Sequence, residues 1–261
     1  MSLSYSTKGH RSSPAILFLH GFMGSGADWD EVASDLSDEF FCVIPDLAGH
    51  GGSIGSEVGY TFPDTSAALI AILDELSVTE SNIVGYSMGG RIALYVAMEN
   101  PTRVRSLVLE SSSPGLKTER ERRERTRIDA ERAGRLEQIG LARFVDEWYG
   151  MPMFSGMNRR ASVYDELLAR RKQNDVRGLV LSLRDAGTGV QPSLWNRLTE
   201  LRLPVMLVTG SLDTKFEGIA SEMAGNIRFC RQVSISNCGH NVHFERPRDF
   251  CGQLRQFASK Q

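Results

Sequence analysis

Residues 81–99 read SNIVGYSMGGRIALYVAME, and the stretch changes character at its middle. Residues 81–87 are a short apolar run suited to a buried strand, whereas residues 90–99 space their apolar side chains as a helix does. Between them Gly85, Ser87 and Gly89 fit the pattern G-x-S-x-G. A strand that turns this sharply into a helix crowds its own backbone, so small residues must flank the serine whose oxygen the turn pushes outward. The pentapeptide alone is a modest signal, and the strand before it and helix after it give it weight. Arg91 raises a second question, because a fixed positive charge follows the serine by four residues, one helical turn along.

The alternation extends in both directions. Short runs rich in Val, Ile and Leu occur at 15–21, 40–46, 104–110, 204–210 and 231–236, each bounded by Gly, Pro, Asp or Ser. Helical spacing also occupies 64–76. Strands alternating with helices predict an α/β fold whose mostly parallel sheet is flanked by helices on both faces. The alternation stops after Glu110 and resumes at Pro204, with polar amphipathic helix and turns between. The expected organisation is an α/β core at 1–113 and 191–261, interrupted by an all-helical cap at 114–190. A chain of 261 residues is long enough for one large domain carrying such an insertion.

Composition narrows the function classes. Hydrophobic residues at 41% and charged residues at 24% are ordinary for a soluble globular protein, and a net charge of −2 gives no global attraction to nucleic acid or an acidic membrane. The polar start MSLSYSTKGHRSSPA lacks the apolar core of a signal peptide, and no apolar run is long enough to span a bilayer. Cys42, Cys230, Cys238 and Cys251 are scattered without a Cys-x-x-Cys pair, which reads as free thiols in a reducing cytoplasm. A soluble cytoplasmic protein is expected, with a small-molecule partner, no nucleic acid and no membrane. Nothing in the sequence fixes the oligomeric state, and a monomer is the expectation.

An elbow serine needs a base, and the base needs a carboxylate to hold its tautomer. Asp213 follows the strand at 204–210, and His240 follows the strand at 231–236. The order Ser87, Asp213, His240, each just beyond the carboxyl end of a strand, is the α/β-hydrolase order. His243 lies in the same turn but at the onset of the last helix, so His240 is preferred. His10, His20 and His50, in the tail, a tight turn and a Gly-rich loop, read as structural. Backbone N–H groups of Met88, after the serine, and Phe22, in the turn HGFMGSG, are placed to form an oxyanion hole. There is no HExxH, no Cys/His cluster and no P-loop, so no metal and no cofactor is expected. A serine at the elbow also argues against the chemistry of an aspartate nucleophile.

The whole chain resembles α/β-hydrolase-fold proteins, through HGFMGSGADW (20–29), DLAGHGGS (46–53) and GHNVHFERP (239–247). GYSMGGR (85–91), SPGLKTERERRER (113–125), EWYGMPMF (147–154) and GSLDTKF (210–216) narrow the resemblance to the 2-succinyl-6-hydroxy-2,4-cyclohexadiene-1-carboxylate synthases of menaquinone biosynthesis. The resemblance implies a lyase that eliminates pyruvate from an enolpyruvyl cyclohexene carrying three carboxylates, using the triad as a base. It also implies substrate contacts from Arg91, Arg125 and Arg171, with Arg122 and Arg170 as rivals if the register slips. Tyr86, Trp148 and Lys215 fall at matching positions. Trp148 reads equally as an aromatic of the cap's core, and Lys215 as a partner for Asp213.

The run at 117–135 holds eight basic and five acidic side chains. A solvated helix laced with i,i+4 ion pairs and a helix with one face on an anionic pocket are both open readings. The triad itself fits hydrolysis as well as elimination. A serine carboxylesterase, thioesterase or carbon–carbon bond hydrolase therefore remains the alternative, with a non-catalytic ligand receptor further off.

Overall fold

The computed structural model describes residues 2–258; Met1 and residues 259–261, which the expected core includes, lie outside them. Seven strands form one sheet in the order β1-β3-β2-β4-β5-β6-β7. They are β1 (Tyr5–Lys8), β2 (Ala15–Leu19), β3 (Phe41–Pro45), β4 (Ser81–Tyr86), β5 (Val104–Glu110), β6 (Val205–Gly210) and β7 (Cys230–Ile235). β1 runs antiparallel to β3, and the other pairings are parallel. Strands β2, β3, β4 and β6 are buried at every position, which is why they read as unbroken apolar runs rather than alternating ones.

The sequence reading gives no strand at Tyr5–Lys8. This edge strand has no apolar run, and its YSTK side chains are half-buried or exposed. It is held by backbone pairing with β3 and by Leu3 beside it, which is 2% exposed.

Two cores cover the two sheet faces. On one, α2 (Phe62–Glu75), α3 (Met88–Glu99) and α8 (Thr214–Ala224) bury Leu69, Ile72, Ile92, Leu94 and Met223 against Leu17, Ile83, Leu107 and Leu207. On the other, α1 (Asp30–Leu36) and α10 (Pro247–Ala258) bury Val32, Leu36, Phe250 and Leu254 against Phe18, Val84, Val108 and Met206. Each such aliphatic or aromatic side chain contributes about 1.5–3 kcal/mol on burial. The short α9 (Val242–Glu245) leads into α10.

Between β5 and β6 the chain makes α4 (Glu119–Ile139), α5 (Leu141–Tyr149), a 3-10 stretch at Pro152–Arg160, α6 (Ala161–Arg171) and α7 (Val176–Asp185). Thr118 and Glu121 cap the start of α4 reciprocally, and Gly140 ends it at a φ of 79°. These helices share their own small core, in which Leu136, Phe144, Val145, Met157, Leu167 and Leu179 meet Met23 and Phe244 from the sheet body. The insertion is thus seated on the turn that follows β2. No helix among the described residues is long and apolar enough to cross a membrane.

Candidate active site

Ser87 stands between β4 and α3 at φ 50° and ψ −107°, a left-handed backbone that a residue with a Cβ adopts only under restraint. Its N–H donates to the Glu110 carbonyl at 2.9 Å, which ties the turn to the neighbouring strand. The flanking glycines are steric requirements. A Cβ on Gly85 would lie 2.5 Å from the Gly89 carbonyl oxygen, and one on Gly89 would lie 2.2 Å from that of Leu19.

The other two residues arrive from the ends of β6 and β7. Asp213 caps α8, accepting the Phe216 N–H, while its Oδ2 lies 2.6 Å from His240 Nδ1. His240 Nε2 lies 3.2 Å from Ser87 Oγ. The carboxylate sets the tautomer, with Nδ1–H donating to Asp213, so Nε2 is free to accept the serine proton. His240 and Asp213 are both buried, which keeps water from competing for these bonds. His243 makes a different pair, with Glu110, and stacks on Trp29 at 4.0 Å.

A cavity of about 220 Å³ opens above the serine, with Phe22, Met88 and His240 in its wall. Met88 is the first residue of α3, so its N–H has no intrahelical acceptor. Among the described residues, four cations line this cleft, Arg91, Arg125, Arg132 and Lys215, against one carboxylate, Asp129, an excess of three positive charges in its wall. Arg125 Nε bonds Asp129 at 2.8 Å, and Arg132 reaches the same oxygen at 3.3 Å. Arg91 donates instead to the Ala186 carbonyl at 2.9 Å and to Gln191, so it has no carboxylate partner among the described residues. Burial, then the charge of Arg125, lower its pKa to about 10. The Lys215 ammonium is lowered too, by burial and then by Arg125. Trp148 lines the cleft as well, edge-on to Phe22 at 5.2 Å and under the Arg132 guanidinium at 5.5 Å.

Two expected contacts are not brought to the cleft. The Tyr86 ring lies behind the triad, packed against Gly21 and between His240 and His243 at 5.4 and 5.0 Å, because the elbow sends neighbouring side chains to opposite sides. Arg171 points away, into a buried pair with Asp28 at 2.7 Å. Neither rival fills the place. Arg122 bonds the Leu116 carbonyl, and Arg170 lies 3.7 Å from Asp28 outside the cleft.

Arg132 and Asp129 are the residues that sequence reasoning missed. Their signal was present, since Arg125, Asp129 and Arg132 follow i, i+4, i+7 spacing on one face of α4. The remaining charges of that helix pair outward, as Arg123 does with Glu119 and Arg127 with Glu124 and Glu131. The charged run thus has two faces, one paired outward in solvent and one lining the cleft.

Sheet order, serine elbow and the order of the three hydrogen-bonded residues define a protein of the α/β-hydrolase class. Residues 14–247 match the family described as alpha/beta hydrolase fold. A 2-succinyl-6-hydroxy-2,4-cyclohexadiene-1-carboxylate synthase from Salmonella paratyphi A is 34% identical over 248 residues, covering 95% of each chain. A Bacillus subtilis (strain 168) protein that carries this synthase name provisionally is 39% identical over 253 residues, 96% of this chain and 92% of that one. The solved structure of MenH from S. aureus matches with a TM-score of 0.94 and 31% identity, over 100% of this chain and 99% of that chain. Within the α/β-hydrolase fold, the chain belongs to the 2-succinyl-6-hydroxy-2,4-cyclohexadiene-1-carboxylate synthase family.

Proposed function

We propose that this enzyme eliminates pyruvate from 2-succinyl-5-enolpyruvyl-6-hydroxy-3-cyclohexene-1-carboxylate, giving 2-succinyl-6-hydroxy-2,4-cyclohexadiene-1-carboxylate in menaquinone biosynthesis. The observation that carries this reading is the excess of three positive charges around a serine triad. A simple ester supplies nothing to neutralise Arg91 and Lys215, whereas a substrate with three carboxylates does.

In this reading His240 Nε2 draws the Ser87 proton, and Ser87 Oγ takes the ring proton α to the succinyl carbonyl. The electron pair left on carbon delocalises onto that carbonyl oxygen, where the Phe22 and Met88 N–H groups donate to it. As the conjugated diene forms, the bond from the ring to the enolpyruvyl oxygen breaks, and the departing enolate takes the proton held by His240 to leave as the enol of pyruvate, which resets the triad. Asp213 stabilises the imidazolium that exists in between. Arg91, Arg125, Arg132 and Lys215 hold the carboxylates, Trp148 supplies a flat apolar wall, and residues 114–190 form the cap. The substrate is thus a small polycarboxylate, and the enzyme works as a monomer in the cytoplasm.

Purified enzyme given the enolpyruvyl substrate should release pyruvate and raise conjugated-diene absorbance in equal amounts, and Ser87→Ala should stop both. Release of neither product, with turnover of simple esters through a trapped acyl-serine, would make the protein a hydrolase.

A further inference from the structure

Arg171 leaves the last turn of α6 and enters the region beneath the turn that carries Phe22. Its Nη2 donates to Asp28 Oδ2 at 2.7 Å, and its Nε donates to the Tyr149 hydroxyl at 2.8 Å. The two charged side chains are 3% and 6% exposed. Burial alone would raise the Asp28 carboxyl, but the charge and hydrogen bond of Arg171 overcome it and hold that group below its ordinary value. The same Asp28 oxygen accepts the Ser25 N–H at 3.3 Å. Three residues beyond Arg171, Asn174 donates its Nδ2 to the Met23 carbonyl at 2.9 Å.

The opposite side of the turn is held by histidines. The Met23 N–H donates to His50 Nε2 at 3.3 Å, and the Leu47 N–H donates to His20 Nε2 at 3.0 Å. Both rings can accept there because burial keeps them neutral. Between these two grips Met23 sits at φ 64°, a left-handed conformation for a residue with a large side chain. The residue immediately before it is Phe22.

We infer that Arg171 is a positioning residue: through Asp28, and together with Asn174, it holds the turn at 21–25 so that the Phe22 N–H faces the developing oxyanion. The helical insertion must therefore be seated for the oxyanion hole to be complete. This inference rests on the role proposed above for the Phe22 N–H. It gives Arg171 a task distinct from carboxylate binding, since its side chain does not line the cleft. An interaction that matters only as charge develops on the carbonyl oxygen acts on kcat and leaves KM in place.

The test compares Arg171→Met with the double variant Asp28→Asn/Arg171→Met, reading kcat, KM and Tm. The single change leaves a buried carboxylate with only the more distant Arg170, 3.7 Å away, for charge compensation and should lower Tm; the double change removes the carboxylate's charge as well and should recover it. For a positioning role, kcat should fall by roughly 10- to 100-fold in both variants while KM stays within about threefold, because the unheld turn weakens one oxyanion donor. A double variant with recovered Tm and unaltered kcat would reduce the pair to a stabilising contact. A raised KM at constant kcat would make Arg171 a substrate ligand instead. Each variant is assayed on the enolpyruvyl substrate and on p-nitrophenyl acetate, which uses the same oxyanion hole. Wild-type activity on the ester alone overturns the elimination reading, and the effect of Arg171 is then read on the ester.

Discussion

Two histidine–carboxylate pairs stand three residues apart in this fold, and they do opposite things. His240 lies 2.6 Å from Asp213, and His243 lies 2.8 Å from Glu110. All four side chains are buried, and the Tyr86 ring touches both imidazoles. The difference lies on the far side of each ring. His240 meets Ser87 and an open cleft, whereas His243 is stacked on Trp29 and packed near Phe250. Glu110 also accepts the backbone N–H of His243, so the second pair anchors the connection between β7 and α9 that presents His240. The same two functional groups become a base or a fastening according to what faces the second nitrogen.

Substituting each histidine is the most forceful way to break this comparison. His240→Ala should cut kcat by about a thousandfold or more, since a triad without its base retains only the oxyanion hole and binding, and should lower Tm less than His243→Ala does, because the space it vacates opens Asp213 to water from the cleft. His243→Ala should do the reverse. It strands the Glu110 carboxylate in the interior, costing on the order of 3–5 kcal/mol and roughly 10 °C in Tm, with kcat of the folded fraction within severalfold of wild type. Steady-state kinetics and calorimetry on the two variants decide it. A thousandfold kinetic loss for His243→Ala would erase the distinction.

The comparison extends to His20 and His50, which serve neither as base nor as ion-pair partner but as neutral acceptors around the turn at 21–25. Burial lowers them to about 4 and about 3 respectively. Because their folded pKa values lie below the unfolded value of about 6.5, the unfolded chain binds more protons in the interval between, and stability falls as pH falls. Their full contribution is present above about pH 6.5, and on the order of 2 kcal/mol per histidine is lost by about pH 5. The Tm measured from about pH 7 to about pH 5 should therefore decline, and His50→Gln should flatten the slope. An unchanged slope in that variant would show that His50 is protonated without cost and does not support the turn.

What the sequence revealed follows the same division between local pattern and distant contact. Strands β2 to β6 are legible because burial on both faces writes an apolar run, and the elbow is legible because its sterics demand glycines at fixed offsets. Asp213 follows from its place after β6, and His240 from its place after β7, which was legible at 231–236 although most of its positions are half-buried or exposed. Arg171 was legible as an arginine but not as a clamp: its direction is set by Asp28, 143 residues earlier in the chain, and by Tyr149. No periodicity on α6 encodes those partners. Tyr86 likewise adjoins Ser87 in sequence, while the sharp turn separates the two side chains in space. Arg132 differs from both, because its i+7 relation to Arg125 is a local pattern on α4 that the sequence itself carries.

Arg125 and Arg127 bring the comparison down to one helix. Two residues apart on α4, they face opposite ways. Arg125 lines the cleft beside Asp129, and Arg127 is 57% exposed in outward pairs with Glu124 and Glu131. Arg125→Ala should lower kcat/KM by about 10- to 100-fold, the loss of one charge-assisted contact to a substrate carboxylate. Most of that loss should appear in KM, and Tm should move little, because Asp129 keeps Arg132 and the Gly189 N–H as partners. Arg127→Ala should leave the kinetics unchanged and Tm within about a degree, as solvent and salt screen an exposed pair. Raising the salt concentration then separates the two arginines further: it should weaken substrate capture in wild type and less so in Arg125→Ala, whose cleft carries one charge fewer. Equal salt dependence in the two proteins would mean that Arg125 spends its charge on Asp129 alone.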